Sequence, residues 1–297
     1  MKTTIGILGL GPMGGIIATN LLARGFSILG YDIRAECRRE LEANGGISLS
    51  STTEVADRAD VLITSLPNAS ALNSIVDEVL KSDRADHVLI ETSTLTLDQK
   101  LKAAKRLAPA GKSLLDSPIS GTPPMLANMT ASIYVGGDKE LYEQCLPVFE
   151  GFAATSFFVG PVGNGTRMKL LANYLVHVHT TAAAECMVMG EKAGLTPDLI
   201  YQVLKPGAGG SKMFEVRGAM MADSDYREGG GTMFDIFKKD SAIITEFAAS
   251  VGAPIDLYTV AREKLNSAIE LGFGHLDTSA VCKAVEMSAG IDRQMVE

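Results

Sequence analysis

Hydrophobic positions come in short runs through the first half of the chain and at helical spacing through the second. Residues 5–8 form an apolar run that stops at Gly9, and Ile16, Ile17, Leu21 and Leu22 follow at the spacing of a helix that Gly25 closes. Further strand-like runs lie at 26–31, 61–66, 88–91, 113–116, 131–135 and 155–159, with helical patterns at 71–80, 97–107 and 141–149. Strands alternating with helices predict a mostly parallel sheet joined by right-handed crossovers, an α/β doubly wound fold. Ligands of such sheets sit at the carboxyl ends of the strands. Here those ends are 9–14, Asp32, Leu66-Pro67, 92–94 and 116–121.

From Thr166 onward the pattern predicts helices only: a long run to about Glu191, then 199–204, 213–221, 236–251, 256–272 and 278–287. Glycine-rich loops are expected at 207–210 and 229–231, and a loose end at 288–297. The long run opens on Gly163-x-Gly165 and has no proline and no further glycine until Gly190. A helix of ~25 residues would be ~38 Å long. Its apolar residues lie nearly all round (Met168, Leu170, Leu171, Leu175, Val176, Val178), which predicts a buried helix. Lys169 and Asn173 are four apart and so share a face of it. Both are costly in an apolar setting unless partnered. The division expected is a sheet domain over 1–163 and an all-helical domain over 164–297.

The first strand runs into Gly9-Leu10-Gly11-Pro12-Met13-Gly14, a helix follows, and the second strand ends on Asp32. Strand, Gly-x-Gly-x-x-Gly, helix, strand and acid together form the dinucleotide-binding fingerprint of a Rossmann domain. Gly9 allows the tight turn, Gly11 lets the backbone approach a pyrophosphate, and Gly14 lets the helix pack on the strand. The helix N-terminus then offers its N–H groups to the phosphates. Asp32 suits the ribose hydroxyls of NAD and repels the 2′-phosphate of NADP. Arg34, two residues on, is placed to soften that choice. The plainer alternative is a glycine-rich turn that holds no ligand.

Composition narrows the classes. The chain has 297 residues, is 46% hydrophobic and 21% charged, and carries a net charge of −8. No basic excess supports nucleic-acid binding. Four scattered cysteines (Cys37, Cys145, Cys186, Cys282) show neither CxxC nor zinc spacing and read as reduced thiols of a cytoplasmic protein. No metal site is expected, no apolar run reaches the length of a membrane span, and no leader is expected because the chain enters a strand almost at once.

With Asp116-Ser-Pro-Ile-Ser120-Gly121 and Gly163-x-Gly165-x-x-x-Lys169 both in view, the chain resembles the β-hydroxyacid dehydrogenases. That group includes 3-hydroxyisobutyrate dehydrogenase, tartronate semialdehyde reductase and the glyoxylate/succinic semialdehyde reductases. The likeness runs the full length, through the glycine loop, Leu66-Pro67, Ser93-Thr94, Gly136-Gly137 and Phe237-Lys-Lys-Asp240. It implies Lys169 as general acid/base, and Ser120, Gly121 and the adjoining Thr122 at the substrate carboxylate. It implies Asn173 at the carbinol side, Thr94 and Lys239 near the nicotinamide, and Asp240 in support of Lys239. The residue types suit the chemistry, since a lysine amine lowered by desolvation can take the hydroxyl proton and return it. The resemblance also implies a homodimer or homotetramer built through the helical half. Ser93 and Thr94 have the alternative of simple helix caps.

Three departures bear on the substrate. The usual Ser-Gly-Gly is Ser120-Gly121-Thr122. Sites that usually hold Ala, Gly and Leu hold Leu126, Met129 and Ala131. The usual Lys-x-x-Asn-Asn is Lys169-Leu-Leu-Ala172-Asn173. The stretch 211–217 resembles that of enzymes acting on four-carbon hydroxy acids such as threonate, but Lys212 stands where they carry a bulky aromatic. Lys212 is thus either a contact for the far end of the substrate or a solvated surface cation. His177 and His179 point to different sides of the helix and cannot chelate one metal. His177 lies about 80° off the Lys169 face. The leading reading is a hydride-transferring oxidoreductase with NAD, or NADP, as coenzyme and a small hydroxy acid or its aldehyde as substrate. The alternatives are a non-catalytic nucleotide-binding module of the same fold, which loss of the lysine would have favoured, and an imine-reductase relative. A decarboxylating 6-phosphogluconate dehydrogenase would need a much longer helical tail.

Overall fold

The computed structural model of the chain describes residues 3–227 and 233–293, and at 233–236 the backbone alone. It divides into two compact units, Met1–Lys169 and Leu170–Glu297. The first unit holds strands β1 (Thr4–Leu8), β2 (Ser27–Tyr31), β3 (Ile47–Ser48), β4 (Val61–Thr64), β5 (Val88–Glu91), β6 (Ser113–Asp116), β7 (Ile119–Ser120), β8 (Ser132–Val135) and β9 (Thr155–Phe158). Between them run α1 (Pro12–Ala23), α2 (Ala35–Ala43), α3 (Thr52–Arg58), α4 (Ala69–Val79), α5 (Leu97–Leu107), α6 (Pro123–Ala127) and α7 (Lys139–Phe152). Helix α8 (Asn164–Lys192) begins in the first unit and continues into the second, where α9 (Pro197–Leu204), α10 (Lys212–Asp223), α11 (Met233–Ser250), α12 (Asp256–Glu270) and α13 (Val281–Ser288) follow.

Six strands form one parallel sheet in the order β3-β2-β1-β4-β5-β6. Both faces are buried, so its strands read as unbroken apolar runs rather than alternating ones. Ile7, Ile63, Ile90 and Leu115 belong to one core, and their neighbours Leu8, Leu62, Leu89 and Leu114 to the other. The order reverses between β1 and β4, the switch point at which such sheets open a crevice. The glycine loop and Leu66-Pro67 follow those two strands.

Some expectations need correction. The parallel sheet stops at β6, and the runs at 131–135 and 155–159 pair with the short β7 in a second, three-stranded mixed sheet. Helices α2 and α3 arise in a polar stretch that carried no clear pattern. Helix α2 buries only Cys37 and Leu41. Helix α8 is not apolar-in all round. Met168, Leu171, Leu175, Ala182, Glu185 and Met189 form an exposed stripe along it, at helical spacing. The end of the chain is not loose up to residue 293. Arg293 donates to the Met221 carbonyl at 2.6 Å and pairs with Glu191 and Glu286. The glycine loop expected at 229–231 and the residues from 294 on lie outside the described residues.

Candidate active site

The first cluster of predicted residues surrounds the start of α1. Gly9 has φ +94°, and a Cβ on Gly14 would fall 1.9 Å from the Gly9 carbonyl oxygen, so this turn is open only to glycine at both places. Gly11 differs, since a Cβ there would meet nothing nearer than the Arg34 guanidinium at 3.3 Å. Gly11 is the N-cap of α1, no side chain caps it, Pro12 opens the helix, and the first turn holds no acid. An uncapped helix start beside an open glycine suits the pyrophosphate of a dinucleotide. A cavity of about 380 Å³ lies alongside, lined among others by Leu10, Gly11, Pro12, Gly15, Arg34 and Cys37.

Asp32 ends this cluster. Its carboxylate accepts from the backbone N–H of Leu10 and of Arg34, both at 2.8 Å, and from Arg34 Nε at 3.3 Å. Burial pushes the carboxyl up, but the Arg34 and Leu10 donors outweigh it, so it titrates below the ordinary 3.8. Arg34 is bound to Asp32 rather than standing apart from it. These residues fit a nicotinamide dinucleotide.

The second cluster lies where the parallel sheet ends at β5 and β6. Leu66 N–H donates to Ser93 Oγ at 2.8 Å, and Ser93 N–H to Glu91 Oε1 at 3.1 Å. Ser93 therefore braces the loop after β4 and is no helix cap, because Thr96 caps α5. Thr94 is half-buried. Ser120 ends β7, Gly121 packs against Ala131, and Thr122 is the N-cap residue of α6. Met129, at a site where the resemblance expects glycine, has φ +55°. Its sulfur lies 3.4 Å from Asn20 Nδ2, which also donates to the Leu126 carbonyl at 2.9 Å. Lys169 is on the second turn of α8 and is 9% exposed.

In the second unit Asn173 is buried, and its Nδ2 donates to Asp240 Oδ2 at 2.7 Å. Asp240 Oδ1 stands 3.8 Å from Lys239 Nζ, so one carboxylate serves both residues. The Asn173–Asp240 pairing was not foreseen, because sixty-seven positions separate the two in sequence. His177 is buried in this unit. It bonds Tyr258 Oη at 2.8 Å, packs edge-on to Phe237, and lies beside the Tyr174–Tyr258 stack. Lys212 opens α10 with its side chain 63% exposed and pairs with Glu215 at 2.9 Å.

Comparison with known proteins decides the family. Residues 4–160 match the NAD-binding domain of 6-phosphogluconate dehydrogenase, and residues 163–285 match the NAD-binding model of NADP-dependent 3-hydroxyisobutyrate dehydrogenase. The chain belongs to the β-hydroxyacid dehydrogenase family. An L-threonate dehydrogenase of Cupriavidus necator is 30% identical, over 95% of this chain and 96% of that protein. A 2-(hydroxymethyl)glutarate dehydrogenase of Eubacterium barkeri is 28% identical, over 97% of this chain and 96% of that one. The solved structure of Mycobacterium tuberculosis 3-hydroxyisobutyrate dehydrogenase with L-serine superposes with a TM-score of 0.87 at 27% identity. It covers 96% of this chain and 99% of that one. This β-hydroxyacid dehydrogenase is an oxidoreductase that uses NAD(P) and acts on the CH–OH group of small hydroxy acids. No helix among the described residues is long and apolar enough to cross a membrane.

Proposed function

We propose that the enzyme oxidises a short hydroxy acid with a polar far end, with NAD as its preferred coenzyme, and reduces the matching aldehyde or keto acid in reverse. The observation that carries this reading is a buried lysine, Lys169, on the α8 face that also bears the buried Asn173. Once bound, a nicotinamide coenzyme would supply or accept the hydride. Lys169 takes the hydroxyl proton during oxidation and returns it during reduction. Ser120 Oγ and the backbone N–H groups of Gly121 and Thr122 hold the carboxylate as neutral donors. Asn173, its amide fixed by Asp240, meets the carbinol side. Gly9 to Gly14, Asp32, Leu66, Pro67, Thr94 and Lys239 hold the coenzyme.

The polar far end is inferred from two relatives whose names specify threonate and 2-(hydroxymethyl)glutarate. The exposed apolar residues Met168, Leu171, Leu175 and Met189 of α8 support a homodimer or homotetramer. A cytoplasmic location agrees with cysteines that form no disulfide. The direct test is a spectrophotometric panel of threonate, 2-(hydroxymethyl)glutarate and 3-hydroxyisobutyrate with each coenzyme. Turnover of a polar acid with NAD is expected. No turnover of any hydroxy acid or semialdehyde with either coenzyme would refute the reading.

A further inference from the structure

Behind the second cluster lies a charged group that coenzyme and substrate binding leave unexplained. Lys100 on α5 is fully buried and pairs with two fully buried carboxylates, Glu91 at the end of β5 and Asp116 at the end of β6. Its Nζ is 3.2 Å from Asp116 Oδ1 and also donates to the Glu91 carbonyl at 3.3 Å. Burial alone would lower the lysine, but the two carboxylates outweigh it, and Lys100 is held above the ordinary lysine value as a cation. Buried ion pairs are weak sources of stability, because desolvation offsets most of their attraction. Two of them sharing one lysine, in a core that apolar side chains could fill, call for another account.

The account lies in what the carboxylates hold. Asp116 Oδ2 accepts the backbone N–H of Thr166 at 2.7 Å, and Oδ1 accepts Thr166 Oγ1 at 2.8 Å. Helix α8 has no acid in its own first turn, so Asp116 caps it from another strand. The approach is close, since a Cβ on Gly165 would fall 2.1 Å from the Asp116 carbonyl oxygen. Lys169 comes three residues after Thr166, on the next turn of the same helix. On its other side the cluster holds Ser93 through Glu91, and Ser93 holds Leu66. A single buried lysine thus ties the loop after β4, the loop after β5 and the first turn of α8 to one another.

We propose that Lys100, Glu91 and Asp116 form a positioning core for the reaction, in which Asp116 fixes Thr166 and so sets the place of Lys169. This rests on the reading of Lys169 as the proton-transferring group. The side chains of the core are fully buried and offer no surface to substrate or coenzyme. They act through the turn they hold, and misplacement of a reacting group by about 1 Å costs on the order of a hundredfold in rate.

Thr166→Val removes one hydrogen bond and keeps the shape, and Thr166→Ser restores the hydroxyl. The Val variant is expected to fold as the parent by circular dichroism and to bind coenzyme within twofold of the parent Kd. It should lose about 10- to 100-fold in kcat with little change in KM. The Ser variant should recover to within about threefold. A Val variant with kcat within twofold of the parent overturns the proposal, whatever its thermal midpoint. Asp116→Asn, which keeps an oxygen for Thr166 but gives up the charge, is read by the same criteria if the Val variant is not recovered folded. Lys169→Ala is measured alongside. Loss of turnover in Lys169→Ala with none in Thr166→Val refutes the positioning core alone, whereas full activity in Lys169→Ala refutes the role of Lys169 itself.

Discussion

Asp32 and Arg34 are joined as one unit, and that fixes what each contributes to coenzyme choice. The carboxylate is held by three donors and stays ionised well below neutral pH, so it meets a 2′-phosphate as a full charge. The enzyme should prefer NAD in kcat/KM. Asp32→Ser should shift the NAD-to-NADP ratio by about tenfold or more toward NADP, since it both removes the repulsion and releases Arg34. A strong NADP preference of the parent enzyme would show that Arg34 sets the site. Lys212 has the opposite standing, exposed and already paired with Glu215. If it reaches the far end of the substrate, Lys212→Ala raises KM severalfold for a polar acid and leaves 3-hydroxyisobutyrate unaffected. Equal effects, or none, leave it as a surface pair. Residue types and spacing pointed to Gly9 and Asp32, because their motif is short and local, whereas the role of Lys169 came only with the family resemblance and stays a proposal. The partners that hold them were not legible. Glu91, Lys100 and Asp116 meet only in the folded chain, and so do Asn173 and Asp240.

Helix α8 shows the limits of pattern at the level of elements. Its span was readable from an uninterrupted run between glycines, and the helix covers Asn164–Lys192. Its burial was not, because an apolar residue left exposed on a helix reads in the sequence the same as one that faces a core. Helices α2 and α3 were missed for the converse reason, as polar surface helices bury too few residues to set a period. The second sheet was hidden because β7 is only two residues long. The alternating βα pattern carried five strands of the six-stranded sheet, whose buried faces make apolar runs, but not the edge strand β3, which is two residues long and partly exposed. Where α8 begins, Gly165 sits against the Asp116 and Tyr134 carbonyl oxygens, at 2.1 and 2.5 Å from a Cβ position. Gly165→Ala should therefore cost about 1–3 kcal/mol and lower the thermal midpoint by several degrees. A midpoint equal to the parent's would mean that the helix start can shift without penalty.

At the scale of the whole molecule, His87 ties stability to pH. It is buried at the start of β5's approach, with Nε2 2.6 Å from the Ala56 carbonyl oxygen. Burial holds its pKa below the ordinary 6.5, so the folded state keeps the neutral ring while the unfolded chain takes up a proton. Its contribution to stability is present above pH 6.5 and is lost as pH falls from there through the folded value. The thermal midpoint should fall between about pH 7.5 and 5.5, by less in His87→Gln. An equal fall in both proteins would assign the pH dependence elsewhere. The stripe of α8 gives the assembly test. Met168, Leu171, Leu175 and Met189 are 40%, 54%, 49% and 69% exposed in the single chain. Light scattering should report a dimer or tetramer, and Leu175→Glu with Met189→Glu should dissociate it.

The central claim is that a β-hydroxyacid dehydrogenase acts here through Lys169. It is tested most directly by comparing the parent and Lys169→Ala in turnover and in coenzyme binding on the same preparations. With the best hydroxy acid of the panel, kcat should fall by about 10²–10⁴-fold while the coenzyme Kd stays within twofold. Near-parental kcat in the variant would contradict the account.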